Sequence, residues 1–375
     1  MTNRLHKPQL DALRAFAVIA VLIHHFFPVQ RFIPDQFLTL GLLGVRLFFV
    51  LSGYLITGIL LEARARPFLQ SLAQFYTRRT LRIFPIYYLL LLVCCMVGYQ
   101  PIKSYISWHL CYLSNLLFIL HPAAGRPYTQ HLWSLSVEEQ FYLVWPLLML
   151  LAPRRWLLKL VSLVICGSII WKTAIAFSVR YNTGLLGDWA VFACMDSLGL
   201  GAMLALFEWD EYLASWRHKL LRWSVGCGGV IVLLQAAQFI SGQRTVFEAT
   251  SYLGVSLVFV WLIGRAADGF GGKLGFLLET RPLLYIGKIS YGIYLYHNFM
   301  PPIIRFLTTK AGSPVREGIM MATLSVVATF ALASVSWKMI ENPINQLKRK
   351  ITDRPKTTTG LHLEKCVCTE NGVQQ

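Results

Sequence analysis

Long apolar runs dominate the chain, and most have the length that a helix needs to cross a lipid bilayer. About 20 mostly apolar residues in helical form span the hydrocarbon core. The pattern therefore predicts an all-α, polytopic membrane protein with about ten transmembrane helices. These are residues 10–29, 41–61, 83–99, 133–152, 158–177, 188–207, 223–241, 250–264, 283–307 and 317–340. A further apolar run at 106–120 is shorter, and we expect it to be re-entrant or interfacial.

Composition agrees with this fold class. Of the 375 residues, 55% are apolar and 14% charged, and the mean hydropathy is +0.53. Soluble domains typically have about 45–50% apolar and about 25% charged residues. A soluble enzyme and a disulfide-stapled secreted module are therefore excluded. We expect residues 1–345 to form one membrane-embedded domain, followed by a polar, disordered cytoplasmic tail at 346–375.

The excess of Lys and Arg over Asp and Glu is concentrated on one predicted side of the membrane. The net charge is +17, with 35 Lys and Arg against 18 Asp and Glu. With the N-terminus inside, most of the Lys and Arg fall in segments 1–14, 62–82, 153–159, 208–222, 265–288 and 341–375. This is the bias of cytoplasmic loops. It predicts a multi-pass membrane protein with both termini cytoplasmic, and no nucleic-acid partner.

Ionisable residues within spans are costly and are candidates for function. Arg14 and His25 are eleven residues apart, which places them on one helix face with His25 about 16 Å deeper. Asp11 lies near the same face, and His24 points about 80° away. One interpretation is an interfacial Asp11–Arg14 pair with histidines bonded to the backbone. The other is a general base at His25, since a neutral imidazole can take and return a proton.

The segment QFYTRRTLRIFP places Arg79 and Arg82 on one helix face beside Pro85, which we take to start the third span. Arginine forks bind phosphate in bidentate fashion. The pair therefore predicts a phosphate clamp at the cytoplasmic mouth of the third span. A simple positive-inside anchor is the alternative.

The segment HLWSLSVEEQFYLVWP carries Glu138 and Glu139 near the predicted start of the fourth span. A capping role with Ser134 or Ser136 would need only one acid. A second carboxylate could orient a histidine or a substrate hydroxyl. Weaker candidates are Ser52 in FFVLSGYLITG, Tyr291 and His297 in ISYGIYLYH, and Glu341 in SWKMIENP, where Lys338 could pair with Glu341. The cysteines have no metal-ligand spacing, and no metal is implied.

In this order, these strings resemble the acyltransferase 3 family of integral membrane O-acyltransferases across residues 8–345. LDALRAFAVIAVLIHHF resembles the first span of the family, with its basic residue and histidine at Arg14 and His25. RRTLRIFP carries its RxxR pair, Arg79 and Arg82, and LWSLSVEEQFYLVWPLL its acidic residue, Glu138. FFVLSGYLI, SYGIYLYH and ENP resemble its remaining signatures.

The resemblance implies transfer of an acyl group, usually acetyl, from cytoplasmic acyl-CoA to a hydroxyl of a cell-surface carbohydrate such as O-antigen or exopolysaccharide. The acyl-CoA is then a donor substrate, and no cofactor is bound permanently. The arginines would hold the phosphates of CoA, His25 would be the base, and Glu138 would orient it. An acyl-histidine intermediate is equally compatible with the sequence. The alternative function is a proton-coupled transporter or flippase of a glycan or lipid-linked precursor.

Overall fold

The structure is a computed structural model, which describes residues 7–27, 39–124, 128–178, 184–241, 250 and 252–352. Within these ranges, all regular secondary structure is helical. In chain order the helices are α1 (Pro8–Phe26), α2 (Leu40–Ala63), α3 (Phe68–Met96), α4 (Gln100–Lys103), α5 (Ile106–Leu110), α6 (Ser114–Leu120), α7 (Leu132–Leu151), α8 (Arg154–Phe177), α9 (Gly184–Trp189), α10 (Val191–Trp209), α11 (Glu211–Ala214), α12 (Arg217–Ser241), α13 (Leu253–Asp268), α14 (Gly272–Leu278), α15 (Arg281–Tyr296), α16 (Met300–Lys310), α17 (Ile319–Ser336) and α18 (Asn342–Thr352). A 3-10 turn (His297–Phe299) joins α15 to α16, and a π-helical turn (Trp337–Glu341) joins α17 to α18.

The predicted number of ten spans is not confirmed. Seven helices in the described residues are long and apolar enough to cross a membrane, or eight if the bent pair α13 and α14 is one span. Helix α7 is long enough, but Glu138, Glu139 and Gln140 reduce its apolar character. The predicted ninth span is divided at the 3-10 turn into two shorter helices.

The boundaries of other predicted segments also change. Helix α3 begins at Phe68, not at residue 83, so Pro85 lies inside it rather than at its start. Residues 346–352 of the predicted tail are helical, and 353–375 lie outside the described residues. Segment 106–120 forms two short helices on either side of Tyr112, whose φ is 52°. Neither helix is long enough to span.

Close packing of α2 against α10 forms the centre of the bundle. A Cβ on Gly53 would lie 1.9 Å from the Leu198 carbonyl oxygen, and one on Gly201 would lie 2.0 Å from the Val50 oxygen. Only residues without a side chain permit such backbone contact. Gly53 therefore has the packing role that small residues usually have within spans. This contact fixes the face of α2 that carries Ser52.

Polar contacts bring most of the predicted inner segments to one end of the bundle. They join residues that are far apart in sequence and that flank the apolar helices. The pairs are Lys7–Glu208 (2.7 Å), Arg154–Asp210 (2.9 Å), Arg217–Asp268 (2.8 Å) and Arg64 with the Ala152 carbonyl (2.8 Å). Segments 62–82, 153–159, 208–222 and 265–288 thus share one end with the described part of segment 1–14, which begins at Lys7. Helix α7 therefore returns the chain to the end from which α3 departs.

Candidate active site

Three arginines from two helices line one cavity together with two glutamates. Arg14 comes from α1, Arg79 and Arg82 from α3, and Glu138 and Glu139 from α7. We call this space the arginine–glutamate cavity. Its volume is about 90 Å³, whereas pockets for whole drug-sized ligands have about 300–1,000 Å³. It therefore has room for a slender chain or a small acyl group, not for a whole nucleotide.

A wider space of about 320 Å³ lies next to this cavity. Arg14 and Leu55 line both spaces, so the two adjoin at these side chains. Lys7, at the end of the bundle where the basic segments meet, also lines the wider space. The two spaces together extend from that end of the bundle toward its interior.

The early start of α3 corrects the predicted position of the arginine pair. Arg79 is eleven residues after Phe68, a helical rise of about 16 Å. The pair therefore lies within the body of α3 and not at the start of that helix. The Arg79 guanidinium stacks over the Tyr142 ring, 5.2 Å from the centroid. The aromatic face holds the guanidinium while its remaining N–H groups stay available to the cavity.

Arg14 is held from its own helix. Its guanidinium donates to Asp11 at 2.5 Å, which is the pairing that the sequence suggested. Helix α15 packs directly on this turn, since a Cβ on Gly287 would lie 1.9 Å from the Asp11 carbonyl oxygen. The Asp11–Arg14 pair is therefore fixed against α15 while Arg14 lines the cavity.

The Glu138 carboxylate is held by hydroxyl groups. Ser52 of α2 donates to Glu138 Oε1 at 2.6 Å, and Tyr142 donates to Ser52 Oγ at 3.2 Å. The capping interpretation is wrong, because α7 begins at Leu132 and Ser134 and Ser136 lie inside it, bonded to backbone carbonyls. Glu138 and Glu139 lie nearly two turns into the helix. They therefore serve as cavity-lining acids rather than as helix caps.

His25 belongs to a row of imidazoles beside the cavity. Its ring centroid lies 4.9 Å from that of His297, which lies 4.9 Å from that of His131. His25 is exposed, whereas His297 and His131 are buried. His24 is turned toward α2, where its ring contacts Gly41. The two adjacent histidines of α1 thus face different neighbours, as their angular separation implies.

The predicted contact between Glu138 and His25 is not present. The Glu138 carboxylate is bonded to Ser52, and His25 is packed against His297. Tyr294 lies between the two groups. It lines the cavity, its ring is 5.5 Å from that of His297, and its hydroxyl is 2.5 Å from Ser134 Oγ.

Two further candidates lie around the same space. Tyr291 lines the cavity and donates to the Ile83 carbonyl at 3.1 Å. Glu341 is buried in the π-helical turn and accepts from Ser336 at 3.3 Å. Lys338 is exposed on the same turn, because a π-helix changes the spacing on which the predicted pair with Glu341 depended.

Sequence reasoning missed His131 and Tyr142. Tyr142 follows Glu138 by four residues, so helical spacing alone could have placed both on one face. His131 precedes α7 and meets His297 across more than 160 residues of sequence. No local sequence pattern predicts a contact between residues so far apart in the chain.

Comparison with known sequences identifies a family and several relatives. The family described as an acyltransferase domain (acyltransferase 3) matches residues 7–338. A peptidoglycan O-acetyltransferase OatA of Listeria monocytogenes is 31% identical over 92% of this chain and 56% of the relative. A putative peptidoglycan O-acetyltransferase YrhL of Bacillus subtilis is 33% identical over 90% and 54%. An O-acetyltransferase OatA of Staphylococcus aureus is 31% identical over 92% and 58%.

This chain therefore spans just over half the length of these relatives. No solved structure matches. Since the family match covers most of the chain and includes all three cavity arginines and both glutamates, the chain belongs to the acyltransferase 3 family.

Proposed function

We propose that this protein is a membrane O-acyltransferase that moves an acyl group, acetyl first among the candidates, from cytoplasmic acyl-CoA to a hydroxyl of a cell-surface or lipid-linked carbohydrate. The observation that carries the proposal is the convergence of Arg14, Arg79 and Arg82 on one narrow cavity within the helical bundle. Cationic groups inside a membrane domain are costly, so three around one space favour an anionic ligand there.

The two adjoining spaces suit the shape of acyl-CoA. Its nucleotide is bulky and anionic, and its pantetheine arm is slender and uncharged. The wider space, which Lys7 and Arg14 line, would take the nucleotide end, and the arginine–glutamate cavity would take the arm. Arg14, which lines both spaces, would bond the phosphates at the junction, and Arg79 and Arg82 would reach them from the side of the narrow cavity. Glu138, fixed by Ser52, would add a negative charge to the lining that the three arginines share.

His25 is the proposed general base. One of its nitrogens takes the proton of the acceptor hydroxyl while that oxygen attacks the thioester carbonyl carbon. The carbon–sulfur bond breaks, and the CoA thiolate receives the proton, so that His25 returns to its neutral state. An acyl-histidine intermediate fits the same geometry. In both routes Tyr294, which lies between the cavity and the histidines, must move or admit the acyl group past its ring.

The relatives suggest the acceptor. Their names say that they acetylate peptidoglycan, so glycan strands of peptidoglycan are the first acceptor to test, before O-antigen or exopolysaccharide. The basic segments that meet at one end of the bundle support a cytoplasmic position for that end and for the N-terminal segment, and the C-terminus is proposed to lie on the same side. Cysteine-accessibility labelling on a cysteine-free background would test this, with residues 154–155 and 217–222 expected inside.

The activity is tested with purified protein in detergent. Acetyl-CoA is supplied with peptidoglycan fragments, exopolysaccharide or no acceptor, and CoA release and the mass of the glycan are followed. The proposal predicts CoA release that depends on an acceptor, with the mass increase of one acetyl group on the glycan. Absence of release with every acceptor, together with proton-dependent glycan uptake into vesicles, would favour the transporter instead.

A further inference from the structure

His297 presents a buried nitrogen that has no hydrogen-bond partner in the part of the chain that the structure describes. The imidazole is 0% exposed. Its Nδ1 lies 2.6 Å from the Tyr294 carbonyl oxygen, whereas Nε2 has no partner. Buried polar atoms are nearly always hydrogen-bonded, so an exception of this kind needs an explanation.

The bond to Tyr294 fixes which nitrogen of His297 carries the proton. A carbonyl oxygen only accepts, so Nδ1 must be the donor. In the neutral ring Nε2 therefore holds a lone pair and can only accept. A partner for Nε2 must then bring an N–H or O–H group to a site buried between α1 and α15.

Of the two imidazoles beside His297, only one can supply that proton. Both nitrogens of His131 are occupied, since Nε2 donates to the Leu295 carbonyl at 3.1 Å and Nδ1 accepts from Asn298 at 3.2 Å. His25 is the other neighbour, at the same centroid distance of 4.9 Å. Ring nitrogens lie on the perimeter, so this centroid distance leaves room for a hydrogen bond once a His25 nitrogen is turned toward Nε2.

We propose that His297 is the positioning residue for His25, with its Nε2 accepting the N–H of one His25 nitrogen so that the other nitrogen presents its lone pair to the reacting group. This proposal rests on the function proposed above, and it assigns to a neutral imidazole the orienting role that the sequence suggested for Glu138. Tyr294 fixes the His297 tautomer through its carbonyl, in the way that a carbonyl or carboxylate fixes a metal-bound histidine.

Every proton in the proposed step is accounted for. When His25 takes the hydroxyl proton it becomes an imidazolium, and its second N–H stays bonded to the His297 lone pair. His297 keeps its own proton on Nδ1 throughout, bonded to Tyr294. The hydrogen bond between His25 and His297 is expected to shorten as charge develops, as catalytic hydrogen bonds that are long in the free enzyme often do.

Turnover would test the proposal with three variants of the full chain. His297→Leu removes the acceptor, and His297→Gln keeps one through its side-chain carbonyl. His109→Leu is the matched control, because His109 is also 0% exposed and has one nitrogen bonded, to Ser114 at 2.8 Å, and Nε2 without a partner. Per folded molecule, we expect kcat to fall about ten- to hundredfold in His297→Leu with an unchanged KM for the donor. His297→Gln should recover most of that loss, and His109→Leu should match the parent.

The rate of carbethoxylation of His25 by diethyl pyrocarbonate tests the same contact and does not require acyl transfer. The rate at His25, followed by tandem mass spectrometry, should fall several-fold in His297→Leu and be kept in His297→Gln and His109→Leu. An unchanged rate at His25 in His297→Leu would overturn the proposal. So would an equal loss in both His297 variants. If instead the parent protein transfers no acyl group while the carbethoxylation pattern holds, the proposed function fails and the positioning contact stands.

Discussion

Two groups of charged side chains lie within the helical bundle, and their surroundings differ. One is the arginine–glutamate cavity. The other, which we call the buried charge cluster, joins Arg46 of α2, Lys172 of α8 and Asp196 of α10. In the cluster, the side chains are at most 2% exposed. Arg46 lies 3.4 Å from Asp196, and Lys172 bonds the other oxygen of the same carboxylate.

The cluster shows that a charge within a span need not mark a reaction site. Its members come from three helices, and Asp188, 3.9 Å from Arg46, supplies a second carboxylate for the two cations. Ser197 donates to the Asp196 carboxylate. Its partners are all protein groups, so it connects helices. In the cavity the guanidinium groups surround an accessible space, and Glu138 is bonded to a serine rather than to an arginine. The two groups therefore differ in their partners. The charges of the cluster are paired with other protein groups, whereas the cavity arginines face a space that a ligand could enter.

The largest expected effect is the loss of acyl transfer when His25, beside the cavity, is replaced. His25→Ala should lower acyl transfer by about 10²–10⁴-fold, as the loss of a general base does. His24→Ala should leave much of the activity, since that ring packs on Gly41. Both rates must be measured per folded molecule in the CoA-release assay. A dead His24→Ala beside an active His25→Ala would show that we have assigned the wrong face of α1.

Asp196→Ala should act on stability and not on chemistry. It leaves the cations of Arg46 and Lys172 buried without their carboxylate, a change that costs about 3–5 kcal/mol. We expect a loss of folded protein in size-exclusion chromatography and thermal unfolding. Glu138→Gln is the matched comparison, and it should fold like the parent while losing transfer. If Asp196→Ala unfolds at the parent temperature, then the cluster does not stabilise the bundle.

Ser52→Ala should have the smallest effect. It removes the 2.6 Å hydrogen bond to Glu138 but leaves the carboxylate in the cavity. A several-fold fall in kcat is expected, with folded yield unchanged, because one hydrogen bond to a charged group is worth about 1.5–3 kcal/mol at most. Thr329→Ala is the control, since its hydroxyl bonds only a carbonyl of its own helix in the described structure. Equal rates in Ser52→Ala and the parent would mean that Glu138 needs no support from α2.

The sequence predicted the face of α1 better than the extent of α3. Helical geometry alone placed Arg14 and His25 in line, and the structure turns both toward α15 and the turn that follows it. In the third span, the apolar run starts only after Arg82, the last of three closely spaced arginines. The prediction therefore began α3 at residue 83, although the backbone hydrogen bonds of the helix continue through Arg79 and Arg82. Contacts such as His131 with His297 depend on packing between distant segments, which no local pattern encodes.

Direct binding of acetyl-CoA to the cavity arginines tests the central claim. Affinity is measured by titration calorimetry for the parent, for Arg79→Gln and Arg82→Gln, and for Arg78→Gln. Arg78 is the control because it neighbours the pair on α3 but is not part of the cavity lining. Loss of one bidentate charged contact should weaken binding about ten- to hundredfold in each of the first two variants. Arg78→Gln should bind like the parent. Parental affinity in both Arg79→Gln and Arg82→Gln would contradict the assignment of this cavity to the acyl donor.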